Sequence, residues 1–280
     1  MLFRDIHTGI ALSLWWQFGL LVISLAAYPF DSRKTMGVNP WLKPIKFEIS
    51  VAIFLITIAV LLSQLDDAYA RPDASRTWPL ITSAIGWTVA VAMIIENSLI
   101  VIQSLRGVRS HMNYSTPLDT NIFGIMAIAI LLNTLAVGAL LLLYLDPLTR
   151  LTWPTAVNVG ARLGLAVLIW GSLEGVVMVT NQHHLVGAVD NGNGVPLLNW
   201  STTHGDLRIA HFFGLHAIQI FMLAGFLLSR TWVNRTIQIA CMIIFAIVYM
   251  GGCYWLFHLA MRGESPMAMT RVYEYLRKTP

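Results

Sequence analysis

Three glutamates, Glu48, Glu96 and Glu174, fall inside long apolar stretches of the chain, and all three stand toward the same end of those stretches. Seven of the eight histidines keep them company there: His111, His183, His184, His204, His211, His216 and His258. A charged side chain at the centre of a membrane helix costs about 2.5–3.5 kcal/mol on insertion scales, so such residues mark sites or paths. These carboxylates should therefore be protonated, paired with Lys46, Arg208 or a histidine, or bound to a cation. Their common depth predicts one polar site in one leaflet half.

Imidazole and carboxylate together suit a transition metal such as Zn, Fe or Mn. On that reading His111, His211, His216 and Glu96 are the candidate ligands. The cation would activate water or oxygen, with Asp206 or Glu174 moving protons and Asp206, Arg208, Asn113 and Asp119 orienting ligands or substrate. Helical geometry complicates this set: at 100° per residue His211 and His216 stand roughly 140° apart, unlike an i, i+4 chelating pair. Haem is the alternative cofactor, with His184 or His258 facing His211 or His216 as axial ligands. A two-haem conduit would need imidazoles on both sides, and only His7 lies on the other. A through-route for protons or ions is likewise poorly lined there, with Ser83, Thr88 and Asn133 alone.

The elements that must position these groups are membrane spans. Of the 280 residues 56% are hydrophobic and 11% charged, with mean hydropathy +0.67, where a soluble domain carries about 25% charged residues. Apolar windows of about 20 residues recur along the whole chain. They predict spans over residues 9–27, 47–65, 80–104, 121–145, 157–180, 207–228 and 236–260. The fold expected is all-α: a single seven-transmembrane-helix bundle over residues 1–260, with one long loop between helices 5 and 6. A short polar or interfacial tail follows over 261–280. The first span is read as retained, since no small-residue cleavage site follows it. Trp78, Trp153 and Trp232 on one side, and Trp41 and Trp200 on the other, fit the belts expected at headgroup level.

Gly160, Gly164, Gly171 and Gly175 in the fifth span predict close approach of a neighbouring helix. The loop 190–200 combines turn residues with an apolar, Trp-ending tail, and is read as a lid or a connector. Cys241 and Cys253 lie three turns apart on one helix, which excludes a disulfide between them. The net charge of +4 needs no nucleic acid to explain it. Eleven of the eighteen Lys/Arg lie on the side that holds the polar groups. The positive-inside rule then predicts a multi-pass protein of a bacterial inner membrane with a cytoplasmic C-terminus.

The strings Arg109-Ser110-His111-Met112-Asn113 and Gly205-Asp206-Leu207-Arg208, the latter followed by His211-Phe212 and Leu215-His216, resemble those of a bacterial integral membrane protein family without an assigned activity. The resemblance covers most of the chain and implies the membrane fold alone. Gathering His, Asp and Ser on one side also resembles, in architecture, the seven-helix ceramidase-like zinc hydrolases. The last span departs from that pattern, with His258 in place of a paired histidine motif. The leading expectation is a membrane-embedded metalloenzyme, a hydrolase or oxidoreductase, acting on a lipid or other apolar small molecule. A single-haem redox protein, a ligand-sensing or carrier protein, and a structural subunit of a homo-oligomer or membrane complex are the alternatives.

Overall fold

The computed structural model describes residues 6–69, 78–190 and 194–268. Among these the chain forms seven helices: α1 (Thr8–Ala27), α2 (Leu42–Tyr69), α3 (Trp78–Arg106), α4 (Pro117–Leu145), α5 (Thr155–Asn181), α6 (Leu207–Ser229) and α7 (Arg235–Met261). Each is long and apolar enough to cross a bilayer. The seven expected spans are all present, and the protein is an all-α, multi-pass membrane protein. The expected tail falls mostly outside the described residues, as do the connection around 70–77 and the Asn191–Asn193 part of the loop.

Several helices outrun their apolar windows because polar residues continue them past the hydrocarbon. α2 begins at Leu42 and takes Lys43 and Lys46 into its first turns. Pro44 is tolerated there because first-turn N–H groups have no helical partner. α4 gains a turn from Thr116, whose side chain accepts the N–H of Asp119, with Pro117 at the first helical position. Asn234 caps α7 and Asp206 caps α6 in the same way.

The glycine face of α5 packs on α6 as expected, backbone against backbone. A Cβ on Gly171 would stand 2.6 Å from the Gly214 backbone, and one on Gly214 only 2.5 Å from the Gly171 Cα. A Cβ added at Gly160, Gly164 or Gly225 would likewise stand only 2.4–2.8 Å from the partner helix's backbone. Without water to drive apolar faces together, such close van der Waals contact is what joins helices in lipid. The main core gathers Ile10, Leu55, Leu62, Val89, Leu140, Tyr144 and Leu165 from α1 to α5, with Ile218 of α6. A second core joins α5, α6 and α7 through Ala156, Ala217, Phe221 and Met242. Large apolar side chains such as Leu131, Leu142, Ile247 and Val248 point outward, as hydrocarbon permits.

The α1–α2, α3–α4 and α5–α6 connections leave one face of the bundle, here the second face. The α5–α6 connection is a hairpin: β1 (Leu185–Val186) pairs antiparallel with β2 (Gly205–Asp206), and Gly194 bridges Ser201 nearer its tip. Gly205 rests against the backbone of Ala260, with no room for a Cβ, and His204 bridges Glu264. The hairpin is thereby fixed to the end of α7. Trp41 departs from the belt position expected of it. It is 2% exposed, with its indole N–H donated to Asp31 at 2.9 Å, because the α1–α2 turn folds back over the ring.

Candidate anion site at the second face

The polar residues of the second face form separate clusters. The most developed begins at Glu96 on α3. Its Oε1 lies 3.1 Å from His111 Nε2, and His111 Nδ1 lies 3.1 Å from Lys43 Nζ. Lys43 also donates to Ser110 Oγ at 2.6 Å. An ammonium group can only donate, so His111 Nδ1 accepts, and the ring hydrogen sits on Nε2, where it is donated to Glu96. Burial, and next the Lys43 charge, push the His111 pKa below its ordinary value, which keeps the ring in this neutral form. Phe47 and Phe123 enclose the imidazole, each 6.0 Å from it between ring centroids.

The α3–α4 connection and the hairpin supply two more clusters. Arg109 pairs with Asp190 at 3.2 Å. Asp190 also accepts the backbone N–H groups of His184 and Leu185 and lies 2.9 Å from His184 Nδ1. Arg208 donates twice to Asp206, at 2.9 and 2.6 Å, and once to the Asn199 carbonyl at 2.6 Å. Asp206 further accepts the Ser201 N–H at 2.8 Å. Lys46 donates to the carbonyl of Leu198 at 3.2 Å. The hairpin tip is thus held by two cations through neighbouring peptide groups, and both Leu197 and Asn199 adopt left-handed backbone there, at φ 66 and 56°.

The expected ligand set does not assemble. Glu96 and His111 meet, but His211 Nδ1 is 2.7 Å from the Gly171 carbonyl and His216 Nε2 is 3.0 Å from Ser50 Oγ. The roughly 140° between the two α6 histidines sends them to different helices. Among the described residues, no three His, Cys, Asp or Glu side chains converge as a metal would need. The described residues therefore do not form the expected Zn, Fe or Mn ligand set. Nor do the haem candidates face a partner imidazole: His184 is committed to Asp190, and His258 is exposed and stacks on Tyr254.

Comparison with protein-family models, curated proteins and solved structures found no match.

The remaining two glutamates are held very differently. Glu48 accepts from Ser24 of α1 at 2.8 Å. Glu174 is 3% exposed, and neither carboxyl oxygen has a hydrogen-bond partner among the described residues, so of the three glutamates it is the one buried with least compensation. Lys46, expected to pair with a carboxylate, binds a peptide carbonyl instead. Asn113 and Asp119 secure the α3–α4 connection: Asn113 donates to the Arg109 carbonyl, and Asp119 accepts from Arg106, Gln103 and Thr116.

Sequence reasoning missed Lys43, Ser110 and Asp190. The spacing of Lys43 and Lys46, three residues apart and so on one helix face, was the available signal for the first. With Arg109 and Arg208 they complete a group of four cations, since Lys46, Arg109 and Arg208 all lie within electrostatic reach of Lys43. Asp190 and Asp206 are engaged by the two arginines, while Glu96 is separated from Lys43 by the imidazole. Neither lysine makes a carboxylate ion pair among the described residues. Each keeps N–H capacity beyond the contacts described above, as does the guanidinium of Arg208.

The Asp190 cluster carries a pH signature. Burial first, and the Arg208 and Lys43 charges further down, hold the His184 pKa at about 4 against an ordinary 6.5, although Asp190 opposes the shift. The unfolded chain takes up a proton below pH 6.5 that the folded chain refuses, so stability is complete above that pH and declines toward pH 4. The loss attributable to His184 is at most about 3 kcal/mol. Thermal unfolding at pH 7.5 and pH 5 should show a smaller acid-induced drop in His184→Asn than in the parent protein.

Proposed function

We propose that the protein binds an anionic amphiphile at its second face, taking the acidic headgroup against Lys43, Lys46, Arg109 and Arg208. The observation that carries this reading is the gathering of four cations from three chain segments, with neither lysine paired to a carboxylate among the described residues. Like charges held close in a partly desolvated site repel, and an anion relieves that repulsion while accepting the spare N–H groups. Basic clusters between helices at the headgroup level are how membrane proteins take acidic lipid headgroups. The excess of Lys/Arg on this face supports a cytoplasmic placement of the site, as expected for a protein of a bacterial inner membrane.

Thermal unfolding of the full chain in maltoside micelles tests the reading, with dodecyl phosphate as probe and dodecyl phosphocholine as the zwitterionic control. The phosphate should raise the midpoint saturably, and the control should not. A Lys43→Gln/Lys46→Gln double variant should bind the phosphate at least about tenfold more weakly, as loss of charged hydrogen bonds worth roughly 1.5–3 kcal/mol requires. Equal responses to both amphiphiles, or an unweakened double variant, would discard the reading.

An acid–base enzyme acting on the same amphiphile is the second reading, favoured by the hydrogen-bonded series Lys43–His111–Glu96. A neutral imidazole between an ammonium and a carboxylate can take a proton at Nδ1 and release one at Nε2. Turnover of a bound anionic amphiphile, lost in His111→Gln with binding retained, would select it.

A further inference from the structure

We propose that the apolar part of this ligand is an acyl chain lying in the groove between α3 and α4. The inference rests on the anionic-amphiphile reading and assigns the other half of the molecule. The groove encloses about 320 Å³. Ala92 and Ala129, 3% and 4% exposed, form its floor. Trp87, Val91, Ile95 and Leu132 complete the lining, and the Thr88 hydroxyl and the Trp87 indole N–H are its side-chain polar groups. So apolar a wall suits an unbranched hydrocarbon chain and offers almost nothing to a polar ligand.

Position joins the groove to the cation cluster. Ile95, at its upper end, immediately precedes Glu96, the residue that holds His111. From Ile95 down to Trp87 is eight residues, about 12 Å along the helix. On α4, Phe123 stands six residues above Ala129, about 9 Å away, and its ring packs against His111 at 6.0 Å. Buried Met126 lies on the same side of α4 between them. A headgroup at Lys43 thus sits at the upper end of the α3–α4 seam, and a chain running inward from it meets the groove lengthwise. Two alanines facing each other across a helix pair are what make the depression, because larger side chains at 92 and 129 would close it.

The test is a chain-length series on the full chain in micelles: inorganic phosphate, then butyl, octyl and dodecyl phosphate, applied to the parent, to Ala92→Phe and to Leu132→Trp. Leu132 is about half exposed, so its replacement narrows the groove without disturbing the core should Ala92→Phe fold poorly. In the parent the affinity should rise at least about tenfold from butyl to dodecyl phosphate, and the narrowed variants should lose most of that rise while binding butyl phosphate as the parent does. A dodecyl phosphate carrying a mid-chain diazirine should label α3 between Trp87 and Ile95 and α4 near Ala129, and the Lys43→Gln/Lys46→Gln variant should abolish that labelling. An undiminished chain-length effect in both narrowed variants, or groove labelling indifferent to the two lysines, would overturn the acyl-chain assignment while leaving the headgroup site standing. No response to any phosphate, butyl included, would overturn the headgroup reading itself.

Discussion

Gly214→Val should lose its fold in detergent at temperatures where the parent and Gly138→Val remain intact. A Cβ at position 214 would meet the Gly171 Cα at 2.5 Å, a separation that only backbone movement can relieve. Overpacking a well-filled interior costs about 1–3 kcal/mol when side chains yield, and more when they cannot. Here the obstacle is the opposite helix itself. Pushing α6 from α5 would also stretch the 2.7 Å contact of His211 Nδ1 with the Gly171 carbonyl. Gly138 and Gly251, by contrast, face open space with nothing within 4 Å of an added Cβ. Unfolding midpoints by fluorescence-detected size exclusion should therefore separate the two classes of glycine. Equal midpoints for Gly214→Val and Gly138→Val would show that the α5–α6 contact is not what joins those helices.

Arg208→Ala has the second large expected effect. Asp206 is 1% exposed and receives two of its hydrogen bonds from the Arg208 side chain. Removing one partner of a buried ion pair strands the other, at about 3–5 kcal/mol. The guanidinium contact with the Asn199 carbonyl disappears at the same time, freeing the hairpin tip. The variant should unfold at lower temperature and be cleaved faster within residues 194–204 by added protease. The double variant Asp206→Asn/Arg208→Met should regain part of the lost stability, because no charge is then left unpaired. Failure of the double variant to exceed Arg208→Ala would assign the cost to packing rather than to charge.

The membrane fold was legible because its signal is summed over long windows. Twenty apolar residues outweigh any single exception, and the glycine spacing of α5 marked the close approach of a neighbouring helix, though not which one. The helix ends were less legible, since Thr116 and Asn234 extend α4 and α7 through caps that hydropathy does not register. The one-sidedness of the histidines was also readable, as each falls near the same end of its span. What they bind to was not. His211 and His216 were both candidate ligands, but the roughly 140° between them already argued against a chelating pair, and the helix turns one toward Gly171 on α5 and the other toward Ser50 on α2. The Glu96–His111 contact joins a helix to a connection fifteen residues further along, and its outcome depends on how the loop 107–116 doubles back. Lys43 was hidden for a different reason, lying one turn outside the apolar window that defined its helix.

Asp206 belongs at once to the hairpin's second strand, to the cap of α6 and to the ion pair with Arg208. No slack residue separates the surface loop from the membrane helix. The joint therefore has no free residue to act as a hinge: a displacement of the tip over Lys46 would act directly on the first turn of α6, and the backbone contact of α6 with α5 would oppose movement of α6 alone.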